Sequence, residues 1–218
     1  MVIIDIEDKK DNAMVESESN ILYTIGHSNH EMEDFIGLLK RYRVNRIADV
    51  RSAPYSKYCP QFNKEALAAA LESEGIAYIF MGKELGGRPS DPCCYENGHV
   101  NFQRVAEREE FKRGIERLLA DIQQYCVAMM CAEKDPLQCH RTILISRHLK
   151  KHNVGIKHIL ADGSIEEHTE TERRLVGMLK EEPVLFGAVK DEAEIIEEAY
   201  DRQAEKMSRR AKNTEDGR

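Results

Sequence analysis

The chain has 218 residues, 41% hydrophobic and 33% charged, with 13 glycines and 6 prolines, a composition that fits a globular protein and excludes collagen-like and coiled-coil classes. No run approaches the ~18 consecutive apolar residues of a membrane span, and residues 1–20 lack the basic start and apolar stretch of an export signal, so a cytoplasmic protein is expected. A formal net charge of −7 argues against non-specific nucleic-acid binding and leaves room for a local basic pocket.

Residues 1–20 run from a short apolar start into a charged, small-residue stretch that reads as an extension, so the domain is expected over 21–182 and a helical tail over 183–218. Residues 21–25 form an apolar run closed by Gly26, and Phe35, Leu38, Leu39 and Tyr42 recur at helical spacing within 31–42. A second strand is predicted over 44–50, a second helix over 64–74 with Gly75 at its C-terminal cap, and a third strand over 76–81. A long irregular stretch follows, and its 88–101 portion has the character of a lid. Phe111, Ile115, Leu118, Leu119 and Ile122 then share one face of a helix over 109–124, with a strand over 126–131, a helix over 141–151 and a strand over 156–160. Over 191–210, acidic residues early and basic residues late suit an amphipathic helix packed back on the domain.

About five alternations of strand and helix predict an α/β fold: a mainly parallel sheet covered on both faces, three-layered and Rossmann-like or flavodoxin-like, with a C-terminal helical appendage. Ligands of such sheets sit beyond the carboxyl ends of the strands. Four segments occupy those places.

Ser28-Asn29-His30-Glu31 fits an S-x-x-E capping box, which gives Ser28 a helix-capping task. His27, after a glycine at a strand end, is a candidate acid, base or hydrogen-bond donor, against the alternative of a side chain bonded to its own loop. Asp49 and Arg51 share one face at the end of a buried strand, where they either flank a ligand or form a structural ion pair. Gly86 and Gly87 let a ligand approach the backbone while Arg88 supplies charge, in a segment with neither a P-loop nor a dinucleotide fingerprint. Cys93, Cys94 and His99 make a conceivable metal set within the lid, although adjacent cysteines seldom share an ion.

The fourth segment is the richest. Cys139-His140-Arg141 stands where a helix begins, preceded by Cys131 and Glu133, so amide donors and the helix dipole meet a thiol, an imidazole and a guanidinium. Three readings follow: a Cys139 nucleophile, a phosphate or carboxylate site on Arg141, or a metal held by Cys131, Cys139 and His140. Against them stands the alternative that both cysteines are buried apolar residues. A cysteine-phosphatase loop is set aside, because its arginine follows the nucleophile after five residues and Arg141 lies two residues from Cys139 and ten from Cys131.

Thr24 to Ser28, Asp49 to Ser52 with Pro54, Phe62, Gly75-Ile76 with Tyr78, Leu85 to Gly87, and Cys131 and Glu133 followed by Cys139 to Arg141 together resemble the domain-of-unknown-function 488 family over about 22–168. The resemblance implies an α/β domain with a strand-end site and brings no activity with it.

The residues favour an enzyme or binding protein for a phosphate-bearing ligand, nucleotide or nucleic acid. Ser28, Arg51, Gly86, Gly87, Arg88 and Arg141 are its expected contacts, and His27, Asp49, Glu133, Cys139 and His140 its reactive groups. The alternatives are a thiol or metal site centred on Cys131 and Cys139, and a non-catalytic adaptor domain. No cofactor is identified. The site residues are expected to converge at one sheet edge, Cys131 and Cys139 to stay unbridged, and Arg141 to matter more than Cys139 for anion binding.

Overall fold

The apolar runs become strands, and the one over Val127–Cys131 is buried at all five positions. A computed structural model describes residues 20–180 and 191–215. In chain order the elements are β1 (Ile21–Gly26), α1 (Met32–Arg41), β2 (Arg46–Asp49), α2 (Lys64–Ser73), β3 (Ala77–Phe80), α3 (Gly82–Leu85), β4 (Tyr95–Glu96), β5 (His99–Val100), α4 (Phe102–Glu107) and α5 (Glu109–Ile122). They continue with β6 (Val127–Cys131), α6 (Arg147–Leu149), β7 (Gly155–Ile159), β8 (Ile165–Glu167), α7 (His168–Lys180) and α8 (Glu192–Glu215). The main sheet has the order β3-β2-β6-β1-β7-β8, parallel except where β8 runs antiparallel to β7.

Side-chain alternation explains the layers. In β6, Val127, Met129 and Cys131 enter one core with α3, α4, α5 and α6, while Ala128 and Met130 enter the other with α1 and α2. Each fully buried Leu, Ile or Phe in these cores contributes about 1.5–3 kcal/mol relative to exposure. A third, smaller cluster of Leu137, Ile143, Leu175, Ala199 and Tyr200 seats α7 and α8. The three-layer α/β arrangement with a C-terminal helix is therefore as expected. Among the described residues, no helix is long and apolar enough to cross a membrane.

Several local expectations are corrected. Ser28 does not cap α1: it has φ 47°, its hydroxyl donates to Asn29 Oδ1, and the N-cap position is Glu31 with no side-chain cap bond. Its amide is drawn instead to Ala132 O, which prolongs the parallel pairing past the end of β1. The expected lid over 88–101 contains a short 3-10 turn and the β4–β5 hairpin, whose Asn97 and Gly98 have φ 52° and 78°, as a two-residue type I′ turn requires. The helix expected over 141–151 starts as a π-helical turn, Arg141–Ser146, in which the Ser146 hydroxyl donates to Arg141 O at 2.8 Å. The sequence reading missed β8 and α7. Residues 1–19 of the expected extension, and 183–190 and 216–218 of the expected tail, lie outside the described residues.

Candidate functional site

β1 and β6 send their connections in opposite directions across the sheet, so a crevice opens beyond the carboxyl ends of β2, β6 and β1. β6 is buried throughout and ends on Cys131. The chain then turns through Glu133 and a 3-10 turn capped by Asp135, whose carboxylate accepts from Leu137 N, and returns with Cys139 and His140. Gly26 permits this path: a Cβ there would stand 1.9 Å from Glu133 O.

The return brings four reactive groups together. One ligand atom from each of Cys131, Glu133, Cys139 and His140 lies within 4.8 Å of all the others. Cys139 Sγ donates to Glu133 Oε2 at 2.9 Å, and His140 Nδ1 lies 3.6 Å from Cys131 Sγ and 4.0 Å from Cys139 Sγ. His140 Nε2 sits 3.0 Å from Val50 O, which can only accept, so Nε2 carries a proton and Nδ1 faces the sulfurs; burial opposes a second proton on the ring, but Cys139 and Glu133 outweigh it and raise the His140 pKa. The Arg141 amide donates to Cys139 Sγ at 3.4 Å. Cys131, Cys139 and His140 are buried, whereas Glu133 presents surface to a cleft of about 430 Å³ that is also lined by Arg51, Gly87, Arg88, Gln138 and His140.

Electrostatics separates the two thiols. Burial opposes ionisation of Cys139, but hydrogen bonding from Cys131 and the charges of Arg141 and His140 outweigh it and hold this thiol well below its ordinary range. Burial pushes Cys131 up, with Cys139 adding to the shift. Burial also raises the Glu133 carboxyl, as does the neighbouring Cys139. All six cysteines are free thiols.

Residues 31–148, more than half of the chain, match the family model described as Domain of unknown function DUF488. The chain belongs to the DUF488 family. No curated protein and no solved structure matches it. The matched stretch contains the whole cysteine–histidine–glutamate cluster, whereas β1, His27 and α8 lie outside it.

Other residues expected at the site do meet at this sheet edge, with Asp49 and His27 in a buried layer beneath the cleft. Asp49 is fully buried, and its carboxylate accepts from Arg51 N, Nε and Nη2 at 3.1, 2.9 and 2.7 Å and from the Tyr78 hydroxyl at 2.8 Å. Its oxygens are thus committed to structure, contrary to the acid/base task expected for it. Arg51 touches the cleft, yet it is paired with Asp49 and also donates to Phe62 O. His27 stacks on Phe62 with ring centroids 4.4 Å apart, bonds to Ser28 O through Nδ1 and faces Arg51 Nη1 through Nε2. Burial first, then Arg51, lowers its pKa to about 4, so it is neutral at pH 7 and packed below the cleft. Gly86 packs on Ser52 and the Gly82 carbonyl, while Gly87 and Arg88 face the cleft.

Arg141 requires the plainest correction. It is fully buried and spans from its π-helical turn back to the preceding loop, donating to Glu133 O at 2.7 Å and Lys134 O at 3.3 Å. A guanidinium so placed fixes the loop that carries Glu133 and lies out of reach of a ligand in the cleft. Arg141→Met should therefore cost about 1–3 kcal/mol of stability per carbonyl left unsatisfied, read by urea denaturation. Unchanged stability with a selective loss of phosphate binding would restore the direct anion contact. Cys93, Cys94 and His99 do not form the alternative metal set: Cys93 is exposed, Cys94 is buried, and His99 Nδ1 bonds to Ser208 O.

Ser52 and Gln138 of the cleft wall lie in the expected strand-end segments without having been singled out as contacts, and Met207 and Ser208, which α8 contributes, were not expected at all. The helical period had marked α8 as an appendage; the acidic and apolar pattern contains no sign that its far end reaches the site.

Proposed function

We propose that this DUF488 protein is a metal-dependent enzyme that adds water across a polarised bond, with Cys131, Cys139 and His140 holding a zinc-class ion and Glu133 acting as acid and base at the cleft. The observation that carries the reading is the four-group cluster with its imidazole turned by the Val50 carbonyl. A histidine that donates its second nitrogen to a backbone carbonyl has its ligating nitrogen fixed in direction. With metal–sulfur distances of ~2.3 Å and metal–nitrogen distances of ~2.0–2.1 Å, tetrahedral edges come to roughly 3.5–3.8 Å. The observed 3.6 and 4.0 Å separations need little adjustment to meet them.

Three buried ligands and a fourth group on the cleft side match a site that keeps one position open to substrate. When bound, the ion supplies Lewis acidity. The chain supplies the rest: Glu133, now sharing the Cys139 thiol proton, is placed to take it as the ion binds and then to move protons at the cleft mouth. Arg88 on the cleft wall places positive charge beside an anionic group of the substrate, which is in keeping with the phosphate-bearing ligand expected from the sequence.

Cobalt titration of the full chain tests this. One equivalent should give ligand-field and sulfur-to-cobalt charge-transfer bands, and Cys139→Ser or His140→Ala should weaken binding on the order of a hundredfold or more. Glu133→Gln should keep the bands while slowing hydrolysis of p-nitrophenyl acetate or phosphate by about 10²–10⁴-fold. A reduced protein that takes up no cobalt, yet loses Cys139 rapidly to iodoacetamide, would replace the metal reading with a thiol nucleophile.

A further inference from the structure

Among the described side chains of helix α8, Ala199 and Tyr200 are fully buried, and Ile196, Ala204 and Met207 pack partly buried against the same cluster. The helix packs on Leu137 and Ile143, which flank Cys139 to Arg141 on both sides, and Gln203 Nε2 donates to Leu137 O at 2.6 Å. Farther along, Met207 and Ser208 line the cleft, and the Ser208 hydroxyl donates to Val100 O at 2.7 Å. The helix thus presses on the ligand-bearing segment and walls its cleft.

What fastens it is a chain of buried hydrogen bonds with one direction. Lys150 Nζ and the Tyr200 hydroxyl both donate to Glu172 Oε1, at 2.8 and 2.9 Å. The Tyr200 oxygen is then left to accept from His168 Nε2 at 3.1 Å, His168 Nδ1 to accept from His158 Nε2 at 3.0 Å, and His158 Nδ1 to accept from the Thr24 hydroxyl at 2.7 Å. Every donor has an acceptor only while both imidazoles are neutral.

We infer that α8 is a clamp on the proposed metal-ligating segment, and that the Thr24–His158–His168–Tyr200–Glu172 chain is an acid-sensitive latch that releases it. The link to metal retention rests on the proposed function; the latch itself does not. Groups facing the chain come from every neighbouring element: Arg141 and Arg174 act on His158, Glu172 and Lys150 act on His168, and Glu172, Glu197 and Arg147 act on Tyr200. Arg147 also pairs with Glu197 and Asp201 of α8, a second fastening that does not involve the histidines.

Burial, reinforced by Lys150 and opposed by Glu172, lowers the His168 pKa from 6.5 to about 4, and burial lowers that of His158 as well. The sign follows: a histidine kept neutral when docked favours docking fully above pH 6.5, and the advantage drains away between 6.5 and about 4. From pH 7 to pH 5, His168 alone shifts the docking equilibrium roughly 20-fold toward release.

Hydrogen exchange of the full chain, corrected for intrinsic rates, reads this directly. Amides of 196–207 should lose protection roughly 20-fold between pH 7 and pH 5 while those of β1 and β6 hold theirs. His168→Gln, which keeps a donor and an acceptor without titrating, should flatten that response; if it instead strips α8 of protection at pH 7 with the sheet intact, the fastening role stands. Equal protection at both pH values, the same drop in His168→Gln, or parallel loss in the sheet overturns the latch. In a second arm, Tyr200→Phe loaded with zinc should surrender the ion to a chromogenic chelator faster than wild type at pH 7. Failure of zinc to bind at all would remove the metal reading and leave the exchange result to judge the latch.

Discussion

Asp49→Ala should lower the unfolding free energy in urea by about 3–5 kcal/mol, the scale for removing one partner of a buried ion pair. The cost comes from what remains. Arg51 is 6% exposed, and without the carboxylate its guanidinium keeps only Phe62 O and the His27 ring as partners, while the Tyr78 hydroxyl loses its acceptor. These groups link the end of β2 to β3 and to the 3-10 turn at Pro60–Phe62, so the damage spreads to the wall of the cleft. Asp49→Asn preserves shape and one acceptor oxygen and should fall between wild type and Asp49→Ala. The measurement also discriminates between roles: an Asp49→Asn protein of wild-type stability whose hydrolysis is abolished would return Asp49 to acid/base work.

Five of the sheet's six strands were legible because they are short apolar runs between helices with clear period, and Val127–Cys131, buried at all five positions, is the plainest case. The convergence of the strand-end residues followed from topology alone, since parallel strands place all their carboxyl ends on one edge. What the sequence did not disclose was depth. Arg141 reads as a cation at a helix start, and only the return of the 132–140 loop over it makes the guanidinium a buried brace for carbonyls. Ser28 matches a capping pattern, but its amide pairs with Ala132 O and its backbone is left-handed, neither of which the pattern can reveal. The β4–β5 hairpin is different: Asn97-Gly98 is a strong local turn signal, and it was legible in a stretch read only as a lid. The proposed metal set was visible as residue types, while the orientation of its imidazole, with a proton on His140 Nε2, depends on a carbonyl 90 positions away in sequence.

That dependence makes the second large effect a glycine rather than a ligand. Gly87→Ala should weaken cobalt binding about 10–100-fold, the range seen when support of a metal ligand is disturbed. A Cβ on Gly87 would lie 2.7 Å from His140 Cγ and 2.9 Å from its Cβ, too close for either side chain to keep its place. The imidazole has no free direction of retreat, because moving away from residue 87 pulls Nε2 off Val50 O or swings Nδ1 from the two sulfurs. Overpacking of this kind costs about 1–3 kcal/mol, so the domain should remain folded while the site loses its geometry. Gly37→Ala is the control: it lies within α1 with open space where a Cβ would go, and it should hold or raise stability by up to about 1 kcal/mol without touching cobalt affinity. A Gly87→Ala protein that titrates with cobalt as wild type does would show that His140 is no ligand, and the centre would then reduce to the Cys139 thiolate and Glu133.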